Sequence, residues 1–444
     1  MAPKLTRVGF HWRATLQHDN VPNWDVWLKE IEELGIGTLF IGHDVSGMRN
    51  YDPATGKLDP NRIPTDARPG IEGMIRDLRS IGVEPALRLS DASGIRSGAI
   101  PNQVLDGLAK AGVQHVQIWN EPNDDREWKD REVPKDWAVK SIEWALPACR
   151  HGMSVGLEMS LPPINPGADL NQFQIAVDLG AGELFECGLG INIHLYPFNR
   201  LVWKGKFYPY DDVNQRGEQL TVEEYQAFDR YYWHGFPRKH INEIRLRDAK
   251  PGATVMQDAD GFLGWLVHEH HMQTTLGPNA AVPCRVTEMG PRPWQDLDKR
   301  YPRLTPQEHA RQVVLICRWF QDEVEIHGRK RPEWLKAGYF WIMGAKVLAD
   351  YSFIFEADTF YGDWEMGRRP PECNYPQTPI GHVPAVDAIK QLARETTPTP
   401  DPTPGPTPGP TPDPTPEPNA AEVMAHIRSA EDYLRQARQI IAGL

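Results

Sequence analysis

Short apolar runs alternate with longer amphipathic stretches from residue 8 to residue 395. The apolar runs predict strands over 8–13, 38–44, 84–90, 115–121, 154–160, 190–196, 285–290 and 338–343. Between them, NWDVWLKEIEELGI sets Trp24, Trp27, Leu28, Ile31 and Leu34 at helical spacing, and IEGMIRDLRSIGV, NQVLDGLAKAGV and DWAVKSIEWALPACRHG repeat the pattern. Gly35, Gly82 and Gly112 stand where three of these helices should stop, which suits a left-handed C-cap. Eight strands alternating with helices predict an α/β chain whose parallel sheet closes into a (β/α)8 TIM barrel. A doubly wound open sheet is the alternative, but no Gly-x-Gly-x-x-Gly follows the first strand.

Two connections are far longer than ordinary loops. One follows strand six, over 197–260, and carries Trp203, Tyr231 and Trp233 among other aromatics; the second follows strand eight, over 345–384, with Phe360, Tyr361 and Trp364. Both leave the C-terminal ends of strands, the face where barrel active sites sit. They read as cleft walls or lids, or as small packing subdomains.

The chain then changes character. TTPTPDPTPGPTPGPTPDPTPEP cannot build a core and reads as an extended, polyproline-like spacer over 396–418, after a barrel domain over 1–395. Residues 419–444 follow as an amphipathic helix. Asn419 and Glu422 have capping-box spacing, and Val423, Ile427, Ala430, Leu434, Ala437, Ile441 and Leu444 step by fours and threes as in a heptad seam. A lone helix this short is marginal in water. Its seam would be buried by self-association into a homo-oligomer or by docking on another protein; otherwise the tail frays.

Composition narrows the function. A net charge of −12 gives no general affinity for polyanions, so nucleic acid is not an expected partner. No apolar run reaches the roughly 18 residues of a membrane span, and the stretch from Met1 to Arg7 lacks the apolar core of a signal peptide. The spacer nonetheless suits an exposed setting, extracellular or on a particle. Cys149, Cys187, Cys284, Cys317 and Cys373 are odd in number and scattered without CxxC, which predicts buried free thiols instead of a disulfide framework or a zinc site. HEHHM, from His268 to Met272, falls one residue type short of the zinc-protease pattern His-Glu-x-x-His and sits on a predicted helix. No metal or other cofactor is expected. Fifteen tryptophans suit either sugar platforms or a core; Trp12, Trp128 and Trp294, near predicted strand ends, are open to both readings.

The chemistry concentrates on two strand ends. Strand four finishes Trp119-Asn120-Glu121-Pro122, and strand seven Thr287-Glu288-Met289-Gly290. Two carboxylates facing each other across a pocket are the minimum equipment for glycoside hydrolysis, one as proton donor and the other as nucleophile or base. Their environments must differ so that their pKa values separate.

With these residues the chain resembles glycoside hydrolase clan A, the retaining β-glycosidases whose catalytic glutamates end strands four and seven. The resemblance runs from about Arg7 to Glu395, and Asn120-Glu121-Pro122 is its most specific motif. It implies a carbohydrate substrate, Glu121 as acid/base, Glu288 as nucleophile, and Asn120 at the sugar 2-hydroxyl. It further implies that His194 and Tyr196, ending strand six, flank the nucleophile and that Trp341 stacks on the sugar. His11 and Trp294 join the expected substrate-binding set. Many relatives keep an arginine at the end of strand two, where this chain reads Thr38-Leu39-Phe40-Ile41-Gly42-His43-Asp44. Arg88, near the end of strand three, is the candidate replacement, because a cation beside Glu288 would lower its pKa; Arg285 is expected to point elsewhere. The missing arginine also leaves a second reading open, a carbohydrate-binding or structural barrel without turnover, displayed through the C-terminal helix. A metal-dependent barrel hydrolase would need more ligands on strand one than His11.

Overall fold

The computed structural model describes residues 5–12, 24–45, 51–52, 57–58, 71–91, 94–164, 170–196, 262–291, 304–326, 329–344, 359–361 and 382–395. Most of both insertions, the spacer, the C-terminal segment, Trp294 and Cys373 lie outside the described residues.

Eight strands close a barrel: β1 (Leu5–His11), β2 (Ile36–Asp44), β3 (Glu84–Ser90), β4 (His115–Ile118), β5 (Glu158–Leu161), β6 (Gly190–Leu195), β7 (Cys284–Met289) and β8 (Leu335–Phe340). Each pairs in parallel with its sequence neighbours, and β1 closes the ring on β8 through Val8 opposite Gly338. The described helices are α1 (Trp24–Leu34), α2 (Ile71–Ser80), α3 (Asn102–Ala111), α4 (Trp137–Ser154), α5 (Gln172–Asp178), α6 (Glu183–Glu186), α7 (Trp265–Leu276), α8 (Pro306–Phe320) and α9 (Pro384–Glu395). The chain is a (β/α)8 barrel.

The elements form for the reasons their sequences state. A barrel strand faces helices outside and packed side chains inside, so β4 and β6 are buried along their whole length. α1 buries Trp24, Trp27, Ile31 and Leu34, one stripe of a 3.6-residue period. Gly112 caps α3 at φ 85°, and Gly35 and Gly82 also adopt positive φ, as their positions after helices predict. Among the described residues no helix is long and apolar enough to cross a membrane.

Several boundaries differ from the sequence expectation. α4 runs on through Ser154, and β5 spans Glu158–Leu161 instead of starting at Ser154; Gly156, at φ 89°, makes the turn between them. β4 stops at Ile118, not Glu121, because Trp119 adopts a left-handed φ of 54° that no strand can continue. Phe360 and Tyr361, expected among the aromatics of the second insertion, are core residues. Their amides donate to the carbonyls of Ile342 and Met343, and the Phe360 ring lies 4.8 Å from Phe10. Cys149, Cys284 and Cys317 are buried thiols, as predicted, but Cys187 follows α6 on the surface and is exposed. Trp12 is fully buried, edge-on to Trp24 and Trp27 at ring distances of 5.9 and 5.3 Å. Trp128 donates its indole N–H to the Pro122 carbonyl at 2.6 Å. Trp12 thus packs in the core, and Trp128 anchors the turn after β4.

Candidate active site

The C-terminal ends of β3, β4, β6 and β7 bring most of the expected residues together. Parallel pairing sets His194 on β6 opposite Glu288 on β7, with a register irregularity between Ile193 and His194. Glu121 arrives from the turn beyond β4. One carboxylate oxygen of Glu121, one of Glu288 and a ring nitrogen of His194 all lie within 4.8 Å of one another, and all three residues are buried.

Each carboxylate has its own partners. His194 Nδ1 is 2.6 Å from Glu121 Oε1 and 3.6 Å from Glu288 Oε2. Tyr196 donates its hydroxyl hydrogen to Glu288 Oε2 at 2.7 Å. Arg88 Nη1 donates both to Glu288 Oε1, at 2.8 Å, and to Asn120 Oδ1, at 2.7 Å. Burial alone would push the Glu288 carboxyl up. The charges of His194 and Arg88, joined by His11 once acid protonates that ring, and the Tyr196 hydrogen bond outweigh it and bring the pKa down to about 2. Glu288 is therefore ionised at neutral pH.

The departure on strand two has a structural explanation. Gly42 on β2 is paired in register with Arg88 on β3. A Cβ at 42 would already touch Arg88 Nη2 at 3.7 Å, so a long side chain there would compete with Arg88 for the same space. The guanidinium reaches Glu288 from the neighbouring strand. Arg285 points away as expected, to Glu158 at 2.6 Å and to the His115 ring at 3.0 Å.

His11 and Trp341 lie together, their rings 4.4 Å apart. Burial, reinforced by the Arg88 cation, lowers the His11 pKa to about 3, so its imidazole is neutral at pH 7. Trp341 follows β8 and is 8% exposed, with its backbone N–H donating to Met289 O. Asn120 is half-buried and more heavily engaged than its expected sugar contact implies. Its Nδ2 donates to Glu127 Oε1 at 3.0 Å while its Oδ1 accepts from Arg88. Glu127, in the turn after β4, is a third carboxyl near the site, and burial raises its pKa. Nothing in its sequence surroundings distinguished it from a surface acid.

Glu121, His194 and Glu288 have the donor types and spacing to hold a divalent cation. The Arg88 guanidinium, bonded to one of those donors, supplies positive charge there already, which works against a second cation. The same arrangement suits two carboxyl groups acting on one substrate bond.

No family model and no curated protein sequence matches the chain. Solved structures similar to it include three glycosidases. A GH128 endo-β-1,3-glucanase from Amycolatopsis mediterranei shares 11% identity at a TM-score of 0.37, over 87% of this chain and 99% of that one. A glucosidase from Croceicoccus marinus shares 11% at a TM-score of 0.45, over 89% and 68%. The endoglucanase Cel5A of Pseudomonas stutzeri shares 11% at a TM-score of 0.39, over 87% and 92%. Likeness at this level carries no argument about activity, and the barrel rests on its own strand order. The chain is a (β/α)8 barrel similar to solved glycoside hydrolases, with two buried glutamates close together, one in the turn beyond β4 and one on β7.

Proposed function

We propose that the chain is a retaining glycoside hydrolase acting on β-linked sugars by double displacement. The observation that carries the reading is the approach of Glu121 and Glu288, an oxygen of each within 4.8 Å. Retaining sites hold their carboxyl groups about 5–5.5 Å apart, whereas inverting sites open to about 6.5–9.5 Å to admit a water. Glu288, ionised beside Arg88 and Tyr196, attacks the anomeric carbon and forms a glycosyl ester. Glu121 gives its proton to the departing glycosidic oxygen, then takes one from the water that hydrolyses the ester. With His194 Nδ1 held 2.6 Å from Glu121 Oε1, Oε2 is the oxygen that transfers the proton. Asn120, oriented by Arg88 and Glu127, and Trp341 serve the sugar at the cleavage site, with His11 and Trp294 in the binding set.

The barrel without turnover drew its support from the absent strand-two arginine. Arg88, 2.8 Å from Glu288, is suited to that role, which favours hydrolysis. The test is a panel of aryl β-glycosides with wild type, Glu121→Gln and Glu288→Gln, and with product anomers read by NMR. Retention of configuration and loss of turnover in both variants are expected. Inverted product, or turnover surviving in both, overturns the proposal.

A further inference from the structure

We infer that Gln117 and Asn192, buried inside the barrel beneath the two glutamates, form a strut that positions Glu121 by holding the left-handed turn at Trp119. The inference rests on the glycosidase reading for its kinetic consequence, but its structural core does not.

Glu121 is not delivered by a strand. Trp119 keeps one link to the sheet, its N–H donating to the Leu89 carbonyl at 2.8 Å. Its φ of 54° then turns the chain out of the β4 direction. Few residues with a side chain sit there without support, because the left-handed region crowds Cβ against the backbone. The support comes from below. Gln117 Nε2 donates to the Trp119 carbonyl at 2.6 Å. Asn192 Nδ2, from β6, two strands round the barrel, donates to Gln117 Oε1 at 2.8 Å. The Trp119 carbonyl can only accept, so Nε2 must be the end of the Gln117 amide that faces it, and Oε1 is left to accept from Asn192. Both side chains have no solvent exposure, so water cannot replace either bond, and a buried carbonyl left unmet is costly.

Two residues past Trp119 stands Glu121. The intervening Asn120 is tied to Arg88, and Glu121's own carbonyl accepts from Asp124 N at 2.9 Å. The strut thus sets the angle at which the Asn120-Glu121 pair enters the site. Neither Gln117 nor Asn192 is joined by a hydrogen bond to either glutamate side chain, so both are positioning residues.

The experiment compares wild type with Gln117→Met, which keeps the length and loses both bonds, and with Asn192→Asp, which keeps the shape but, when ionised, attracts the Gln117 amide and turns its oxygen toward the Trp119 carbonyl. Crystal structures read the strut directly. Trp119 leaving the left-handed region and the Arg88–Asn120 bond lengthening are expected in whichever variants fold; unchanged backbone at 119–121 in either overturns the inference. Kinetics read the consequence. Proton donation by Glu121 matters most for poor leaving groups, so kcat/KM should fall roughly ten- to a hundredfold for unactivated β-glycosides, the scale of a small misplacement, and far less for dinitrophenyl glycosides. An equal loss on both substrate types marks a merely structural role and overturns the positioning claim. If wild type turns over no glycoside, the proposed function fails, and the crystallographic comparison alone decides the strut.

Discussion

Arg88, on the third strand, donates one hydrogen bond to Glu288 on the seventh and another to Asn120 beyond the fourth. A single guanidinium therefore joins the proposed nucleophile to the residue beside the proposed acid. Replacing it with Met removes the cation that helps hold Glu288 ionised. The acid limb of the kcat/KM profile should move to higher pH, because the Glu288 pKa rises from its value of about 2. Hydrogen bonds to charged groups contribute about 1.5–3 kcal/mol, so a loss of at least tenfold in kcat/KM is expected at neutral pH. An unshifted acid limb would argue that Arg88 is not the missing cation.

Tyr196→Phe removes one donor to Glu288 and leaves the charge of Arg88 in place. Its effect should have the same sign and be smaller. Measured beside Arg88→Met, the two acid limbs should rank wild type lowest, Tyr196→Phe next and Arg88→Met highest. A reversed order would place the dominant influence on the hydroxyl.

Stability should carry the same signature. The folded pKa of Glu288 lies below its ordinary value of 4.5. A depressed carboxylate contributes stability above its unfolded pKa, and that contribution fades as the pH falls from about 4.5 towards about 2. Melting curves of wild type and Glu288→Gln across that window should therefore converge as the medium is acidified. Parallel curves would mean that the ionised form gains nothing from folding.

Divalent metal should leave the site untouched. The Arg88 charge already lies 2.8 Å from Glu288, so adding Zn2+ or a chelator should not change the melting temperature. Binding at Glu121, His194 and Glu288 would raise it by roughly 2–4 °C per kcal/mol for a large domain, and such a rise would favour metal-dependent chemistry.

Trp12→Phe should destabilise the barrel by about 1–3 kcal/mol in denaturant unfolding, the range of most damaging point changes. It should leave KM unchanged, since Trp12 is fully buried and packs on Trp24 and Trp27. A large rise in KM with unaltered stability would return Trp12 to the list of sugar contacts.

The association proposed for 419–444 has its own check. Deleting those residues should lower the mass measured by sedimentation while the melting of the barrel stays the same. An unchanged mass would end the coiled-coil reading.

The alternation of apolar runs and amphipathic helices was enough to predict the barrel, and Glu121 and Glu288 stood out because both fall at the predicted ends of apolar runs. Local rules carry that information: side-chain period, helix-ending glycines and a proline after the acid all act within a few residues. Arg88 was legible only as a candidate, since its role depends on Gly42 beside it and Glu288 opposite it. The left-handed Trp119, the Gln117–Asn192 strut, the burial of Trp12 and the core placement of Phe360 and Tyr361 were not legible. Each depends on partners 15 to several hundred residues away or on space enclosed by several strands, which no local pattern encodes. The sequence by itself determined the order of strands and helices and which two acids fall near strand ends. Only closure of the barrel decided how those acids are aimed and which cation stands beside them, because aim and field are properties of groups brought together from distant parts of the chain.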